Sequence, residues 1–295
     1  MQGEVNMWKI LLIVILLVVI CCIVENIREL SRFQMTHYEI CTDKINRDYK
    51  ILFFSDMHNK QYGTDNCQLL ERAREEKPDI ILLGGDMIVG RVRGYDVNTA
   101  VFIRELSQIC TVYYALGNHE QRMKDEPELY GDLFERYVAE FRGFDVHFLM
   151  NQTQVIPGSN ICVTGLNIPM AAYDKIKKYK DYSRKAMEQA IGAIQDEKAY
   201  NILLAHNPTY MHIYRRWNAD LILAGHFHGC AVRIPKIGGI ITPQFHLFPK
   251  YSGGRYFEKY EDIIVSRGLG DHTLKLRLLN VPELIVTHLV KKEKI

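Results

Sequence analysis

Leu221-Ile222-Leu223-Ala224-Gly225-His226-Phe227-His228-Gly229 is an apolar run that stops at a glycine and delivers two histidines. A short Leu/Ile-rich run bounded by glycine reads as a buried strand. His226 and His228 are spaced i, i+2, so in extended backbone both imidazoles leave the same face. Glycines on either side allow a sharp turn and leave room for a bound group. Two readings fit this pair alone: one histidine ends a strand while the other sits exposed in a loop, or both serve a bound ion. The readings separate only if other apolar strands end in ligand-type side chains.

They do. Working outward, Tyr200-Asn201-Ile202-Leu203-Leu204-Ala205 ends at His206-Asn207-Pro208. Further upstream, Lys50-Ile51-Leu52-Phe53-Phe54-Ser55 ends at Asp56-Met57-His58, and Ile80-Ile81-Leu82-Leu83 ends at Gly84-Gly85-Asp86. Thr111-Val112-Tyr113-Tyr114-Ala115-Leu116 ends at Gly117-Asn118-His119-Glu120. Helical patterns fit residues 66–76, 97–107 and 183–196, with short strands around 145–149 and 160–165. Strands alternating with helices predict an α/β sheet whose ligand sites lie at the carboxyl ends of the strands. After the opening stretch the chain turns β-rich, with runs at 238–241, 262–265, 273–277 and 284–287. Asp56, His58, Asp86, Asn118, His206, His226 and His228 are thereby expected on one edge of the sheet.

Carboxylates, an amide oxygen and imidazoles without a thiolate suit divalent metals such as Mn, Fe or Zn. Seven candidate ligands are too many for one ion and suit two. Two ions about 3.5–4 Å apart can clamp the attacking and leaving oxygens of an in-line displacement at phosphorus. A carboxylate can bridge them, and a bound water whose pKa falls from about 15.7 to about 7 supplies hydroxide near neutrality. The chemistry expected is direct attack of that hydroxide on phosphorus, without a phosphoenzyme.

The ordered set Asp-x-His, Gly-Gly-Asp, Gly-Asn-His-Glu, His-x-Pro and Gly-His-x-His resembles the calcineurin-like metallophosphoesterase superfamily. Later stretches, including Val232-Arg233-Ile234-Pro235, Tyr251-Ser252-Gly253-Gly254-Arg255-Tyr256 and Val265-Ser266-Arg267-Gly268-Leu269-Gly270, resemble its membrane-associated bacterial branch. The resemblance implies an α/β fold of two mixed β-sheets sandwiched between helices. It implies that Asp56, His58 and His228 hold one metal, that Asn118, His206 and His226 hold the other, and that Asp86 bridges. His119 would protonate or stabilise the leaving oxygen, and Glu120 would either orient it or be a surface carboxylate. One departure stands out: relatives commonly continue with Gly-Gln after Gly-His-x-His-Gly, where this chain has Cys230-Ala231. Cys230 is then either inert filler or a redox-sensitive thiol near the site.

Other two-metal hydrolases fit less well. A metallo-β-lactamase pattern needs His-x-His-x-Asp-His, but Gly229, Cys230 and Ala231 follow His228. Amidohydrolases place His-x-His on an early strand, and here it is late. The rival from another class is a catalytically inactive, membrane-tethered metal-binding interaction protein, which usually shows eroded ligands; none is eroded here. Substrate class stays open among phosphomonoesters, phosphodiesters and pyrophosphates, including lipid-linked pyrophosphates of the UDP-diacylglucosamine type on which some relatives act. Residues 122–140 and 170–182, which would shape specificity, carry no readable code.

The amino-terminal segment is different in kind. Residues 7–24 are almost wholly apolar, with Trp8 at one end and no Gly, Pro or charge from Ile10 to Val24. A spanning helix needs about 17–25 such residues, with aromatic residues at the interface. A signal peptide would show small residues at its cleavage site; Glu25-Asn26-Ile27-Arg28 shows none. The chain of 295 residues thus divides into a short tail (1–6), a transmembrane anchor (7–24), a polar helical or irregular connector (25–47), a metallophosphoesterase domain (48–290) and a C-terminal tail (291–295). Cell-membrane, single-pass placement is expected. Arg28, Arg32, Lys44 and Arg47 after the span argue for a cytoplasmic domain, whereas the resemblance leans extracytoplasmic. A net charge of +2 gives no case for nucleic acid, and no segment specifies an oligomeric state. Seven scattered cysteines without paired spacing argue against a disulfide framework.

Overall fold

A computed structural model describes residues 2–91, 94–174, 182–242, 247–271 and 275–292. It opens with helix α1 (Gln2–Leu30), then strands β1 (Gln34–Thr42) and β2 (Tyr49–Phe54), helix α2 (Cys67–Glu76) and strand β3 (Ile80–Leu83). Helix α3 (Val97–Ser107) leads to β4 (Val112–Ala115), followed by α4 (Asn118–Asp125), α5 (Pro127–Tyr130) and α6 (Leu133–Ala139). Strands β5 (Val146–Leu149), β6 (Gln152–Val155) and β7 (Ile161–Leu166) precede α7 (Arg184–Ile191) and β8 (Tyr200–Ala205). Helix α8 (Met211–Tyr214) leads to β9 (Leu221–Ala224), the short pair β10 (Arg233–Ile234) and β11 (Gly238–Gly239), and finally β12 (Gly254–Glu258), β13 (Glu261–Val265) and β14 (Glu283–Lys291).

Two six-stranded mixed sheets result, ordered β1-β14-β2-β3-β4-β5 and β12-β13-β9-β8-β7-β6. Strands β2, β3 and β4 run parallel, as do β13, β9, β8 and β7. Each sheet turns one face to the other, and Phe53, Leu82 and Tyr113 of the first pack with Leu204, Leu223 and Ile264 of the second. Outer faces are covered by helices: Leu69, Phe102, Ile103 and Tyr137 on the first sheet, Met187, Met211 and Trp217 on the second. The sandwich of two sheets between helices follows from strands that are apolar on both faces, since such strands need cover on both sides.

The amino-terminal region departs from expectation. Residues 25–47 are not merely a connector, because β1 pairs parallel with β14 from Gln34↔Glu283 to Thr42↔Lys291. This strand reads as polar because it is an edge, with buried and exposed positions mixed along it. The folded unit therefore starts earlier than residue 48, and β14 carries it past residue 290. Helix α1 runs through the span expected at 7–24 and continues to Leu30; Met7–Leu30 is long and apolar enough to cross a membrane and is not buried against the domain in that apolar window. At about 1.5 Å per residue, the 18 residues from Met7 to Val24 reach roughly 27 Å, close to a hydrocarbon layer of about 30 Å. The helix expected at 183–196 ends at Ile191, where Gly192 takes φ +73°. The run expected as a strand at 273–277 includes Thr273 and Leu274, which lie outside the described residues; residues 275–277 are irregular.

Candidate metal centre

The carboxyl ends of β2, β3, β4, β8 and β9 lie along one rim of the sandwich, and all seven expected ligands sit just beyond them. The backbone there is unusual. Asp56, His58, Asp86, His226 and His228 all have left-handed φ, between 49° and 64°. Such a conformation costs a non-glycine residue about 1–2 kcal/mol, and it persists only where surrounding bonds over-determine it. Those bonds are present: Asp56 N–H donates to Gly85 O at 2.9 Å, His58 N–H to Asp86 O at 3.0 Å, and His226 N–H to both Asp56 carboxylate oxygens at 2.9 and 3.0 Å. Glycine at 225 is required by space, since a Cβ there would collide with the Asp56 carboxylate and the Ser55 hydroxyl.

The side chains converge as overlapping groups. Asp56, His58 and His228 bring one potential ligand atom each within 4.8 Å of one another, as do Asp86, His206 and His226, and His58, Asp86 and His119 make a third such group between them. His58 Nε2 faces His228 Nε2 at 3.0 Å. Asp86 Oδ2 lies between the groups, 3.6 Å from His58 Nε2 and 3.3 Å from His206 Nε2. Its other oxygen accepts the His119 N–H at 2.8 Å, which fixes the carboxylate plane. Asp56 Oδ1 also touches both sides, 3.4 Å from His228 Nε2 and 3.7 Å from His206 Nε2.

Two observations test whether this set suits divalent cations. His206 Nδ1 donates to Gly84 O at 2.7 Å, which leaves Nε2 aimed at the carboxylates; that buried nitrogen has no hydrogen-bond partner. An imidazole fixed through one nitrogen with the other directed at carboxylates is the arrangement that metal-binding histidines adopt. Asn118 places its carboxamide against the same atoms, 3.2 Å from Asp86 Oδ2 and 2.9 Å from His226 Nδ1, so it joins the second group of ligand-type side chains. The residues fit a pair of divalent ions.

In the metal-free site a proton serves instead. Burial opposes charge on His206, but Asp86 and Asp56 outweigh it and lift the imidazole to about 10. Burial likewise opposes charge on Asp86, yet His206, His119 and His58 hold its carboxyl well below the ordinary value. Asp56 is pushed up to about 6 by burial, with Asp86 adding to the effect.

His119 stands at the edge of the cluster, its ring edge-on to His58 at 5.0 Å between centroids. It also lines a cleft of about 870 Å³ shared with His58, Lys60, Arg91, Tyr95 and Lys275. Glu120 is neither a surface carboxylate nor, in its contacts, a partner of the His119 ring. It is fully buried and accepts from the amides of Asp86, Met87 and Gly117 at 2.8, 2.8 and 3.1 Å, and from Tyr114 Oη at 2.7 Å. Its work is to hold the loop that bears Asp86.

Several supporting residues carry no sequence signal. Ser55 Oγ donates to Asp56 Oδ2 at 2.5 Å. Buried Tyr173 packs edge-on against His226 at 5.2 Å. Asn280 Nδ2 donates to the carbonyls of His228 and Cys230 at 2.7 and 2.6 Å, and buried Arg277 donates to Gly270 O and Arg267 O at 2.7 and 2.9 Å. A hydroxyl, an amide or a guanidinium that acts on backbone carbonyls is recognisable only once the fold brings the loops together. Cys230 is buried, and burial pushes its thiol up to about 11. It remains protonated near neutrality, which favours inert packing over reactivity.

Residues 49–230 match the family described as Calcineurin-like phosphoesterase. The chain is 30% identical over 243 residues to the uncharacterized metallophosphoesterase YkuE of Bacillus subtilis, covering 81% of this chain and 78% of that protein. It is 25% identical over 267 residues to the phosphodiesterase YaeI of Escherichia coli, covering 88% of each. With the family match spanning all seven clustered side chains and His119, the chain belongs to the calcineurin-like phosphoesterases, metal-dependent phosphoric ester hydrolases that work with two metal ions.

Proposed function

We propose that this chain is a membrane-anchored phosphoesterase acting on phosphodiester, phosphomonoester or pyrophosphate bonds presented in the lipid headgroup layer, lipid-linked pyrophosphates among them. One observation supports the setting above others. The cleft that opens on His58 and His119 has Lys275 in its wall, and Lys275 O accepts a hydrogen bond from Asn26 Nδ2 at 3.2 Å. Asn26 is only two residues, about 3 Å of helix rise, beyond the apolar run that ends at Val24. A cleft tied so closely to the end of a span opens beside headgroups rather than far from them.

Asp56, His58 and His228 would hold one ion, Asn118, His206 and His226 the other, with Asp86 between them. Two such ions supply Lewis-acid stabilisation of the phosphoryl oxygens and an activated water. The rest falls to the chain. Arg91 and Lys275 line the cleft as cations for a phosphate or pyrophosphate, while Lys60 in the same wall pairs with Asp271 at 2.9 Å. His119, held at the cleft side of the cluster by its backbone bond to Asp86, is placed to deliver a proton to the departing oxygen. The test is a metal-reconstituted assay on p-nitrophenyl and bis-p-nitrophenyl phosphates, beside the same ester classes carried by lipids in vesicles. Turnover favouring the vesicle-borne esters, abolished by Asp86→Ala, is expected. His119→Ala should retain two metals while losing turnover, most severely for poor leaving groups. Two bound metals with no hydrolysis of any ester would instead support a binding protein.

A further inference from the structure

Three loop segments at the base of α1 hold a concentration of exposed apolar side chains. Beyond Leu30, the described residues include thirteen exposed large hydrophobics, and six of them are Ile234, Ile237, Leu247, Phe248, Leu276 and Leu279. The others are scattered over distant helices and strand edges. Scattered apolar residues are normal on a protein surface, whereas a contiguous group marks an interaction site.

Backbone bonds make these six contiguous. Arg233 N–H donates to Leu278 O at 3.0 Å, and Leu278 N–H to Ala231 O at 2.9 Å, joining the 275–280 loop to the β10–β11 hairpin. Phe248 N–H donates to Ile240 O at 2.7 Å and brings the next loop alongside. Ile234, Ile237 and Leu279 line one groove with Lys236 and Lys250. The same surface is fastened to the anchor. Arg277 N–H donates to Asn26 Oδ1 at 2.7 Å, and Asn280 N–H to Glu29 Oε2 at 2.6 Å. Leu276 is thus held beside Asn26, at the level where the apolar span ends.

Apolar side chains interleaved with lysines suit the boundary between headgroups and acyl chains, where an interfacial surface sinks about 5–10 Å. We propose that the 231–241 hairpin and the 247–248 and 275–280 stretches form an interfacial membrane-binding surface around the base of α1, with exposed Lys236 facing lipid phosphates. The occupant is the bilayer itself. This rests on the reading of α1 as a membrane span, and it fixes what a single span cannot: the tilt of the domain, with the Lys275 wall of the cleft turned toward the headgroup plane.

The full chain provides its own reporters. Trp8 lies in α1, and Trp217 is buried in the domain. Reconstituted in phosphatidylcholine vesicles containing lipids brominated near the headgroup end of their acyl chains, the parental chain should show quenching of Trp8. In a Trp8→Phe background, Ile237→Trp and Leu276→Trp should each lose most of the emission added by the new tryptophan. Val155→Trp, on β6 at the far edge of the second sheet, should lose none. Quenched Trp8 with unquenched tryptophans at 237 and 276 would overturn the surface while leaving the anchor standing, including the case where a second copy covers the loops. Unquenched Trp8 would overturn both, and equal quenching at 155 would overturn the specific orientation.

Discussion

The Glu120 carboxylate accepts from four backbone amides and from Tyr114 Oη inside the protein, with no exposure to solvent. Burial pushes its carboxyl up, with Asp86 adding to the effect, while Tyr114 and the amides pull the other way. Removing it leaves several buried donors unpaired, at about 1–3 kcal/mol each. Glu120→Ala should therefore lower the unfolding free energy of the metal-free chain by on the order of 3 kcal/mol and weaken metal uptake, because the Asp86 loop is released. Denaturant titration and calorimetric metal binding measure both. A variant with native stability and native metal affinity but reduced turnover would mean that Glu120 acts through His119 instead. The identity of the seven clustered side chains was legible because Asp, His and Asn recur at the ends of apolar runs. The role of Glu120 was not. Adjacency to His119 in sequence suggested a shared task, but residue 120 lies within the first turn of α4 and its side chain turns back to the loop.

At the scale of elements, apolar strands and their ligand-bearing ends could be read directly, since buried strands announce themselves by composition and glycine punctuates their exits. Strand β1 escaped because an edge strand needs only partial cover and can be largely polar. The irregular 275–280 segment escaped for another reason: its Leu-Lys-Leu alternation imitates a full strand, while only Leu278 bridges to Val232 and the flanking Arg277 and Asn280 bond to loop carbonyls and to α1. That segment works as a strut between α1 and the turn carrying His228. Asn280 Nδ2 bridges the carbonyls of His228 and Cys230, so it fixes a turn in which both residues have positive φ. Asn280→Ala should leave both sheets formed but loosen His228, and supporting contacts of this kind typically alter metal affinity about 10–100-fold. Calorimetry should show one of two metal sites weakened. Equal weakening of both, or of neither, would contradict a role confined to this turn.

For the whole molecule, the metal centre is where two sheets, five loops and a set of buried charges must agree, and removing the metals should expose that dependence as a pH effect. In the metal-free chain His206 is lifted from an ordinary value of 6.5 to about 10. A group whose folded value is raised contributes stability that is complete below its unfolded value and is lost as pH rises through the folded one. The window for His206 is therefore about 6.5 to 10. Above pH 7 the carboxyls of Asp56, lifted only to about 6, and Asp86, held low, are both ionised and no longer change. The chelator-treated chain should consequently lose thermal stability steadily from pH 7 to 10, by roughly 2–4 °C for each kcal/mol of imidazolium stabilisation removed. Metals take the place of that proton, so the metal-loaded chain should show little slope over the same range, and metal uptake at pH 7–8 should release a proton. Calorimetry in two buffers of different ionisation enthalpy counts the proton, and thermal scans with and without chelator give the two slopes. Parallel slopes, with no proton released on metal binding, would mean that His206 is already neutral in the metal-free fold.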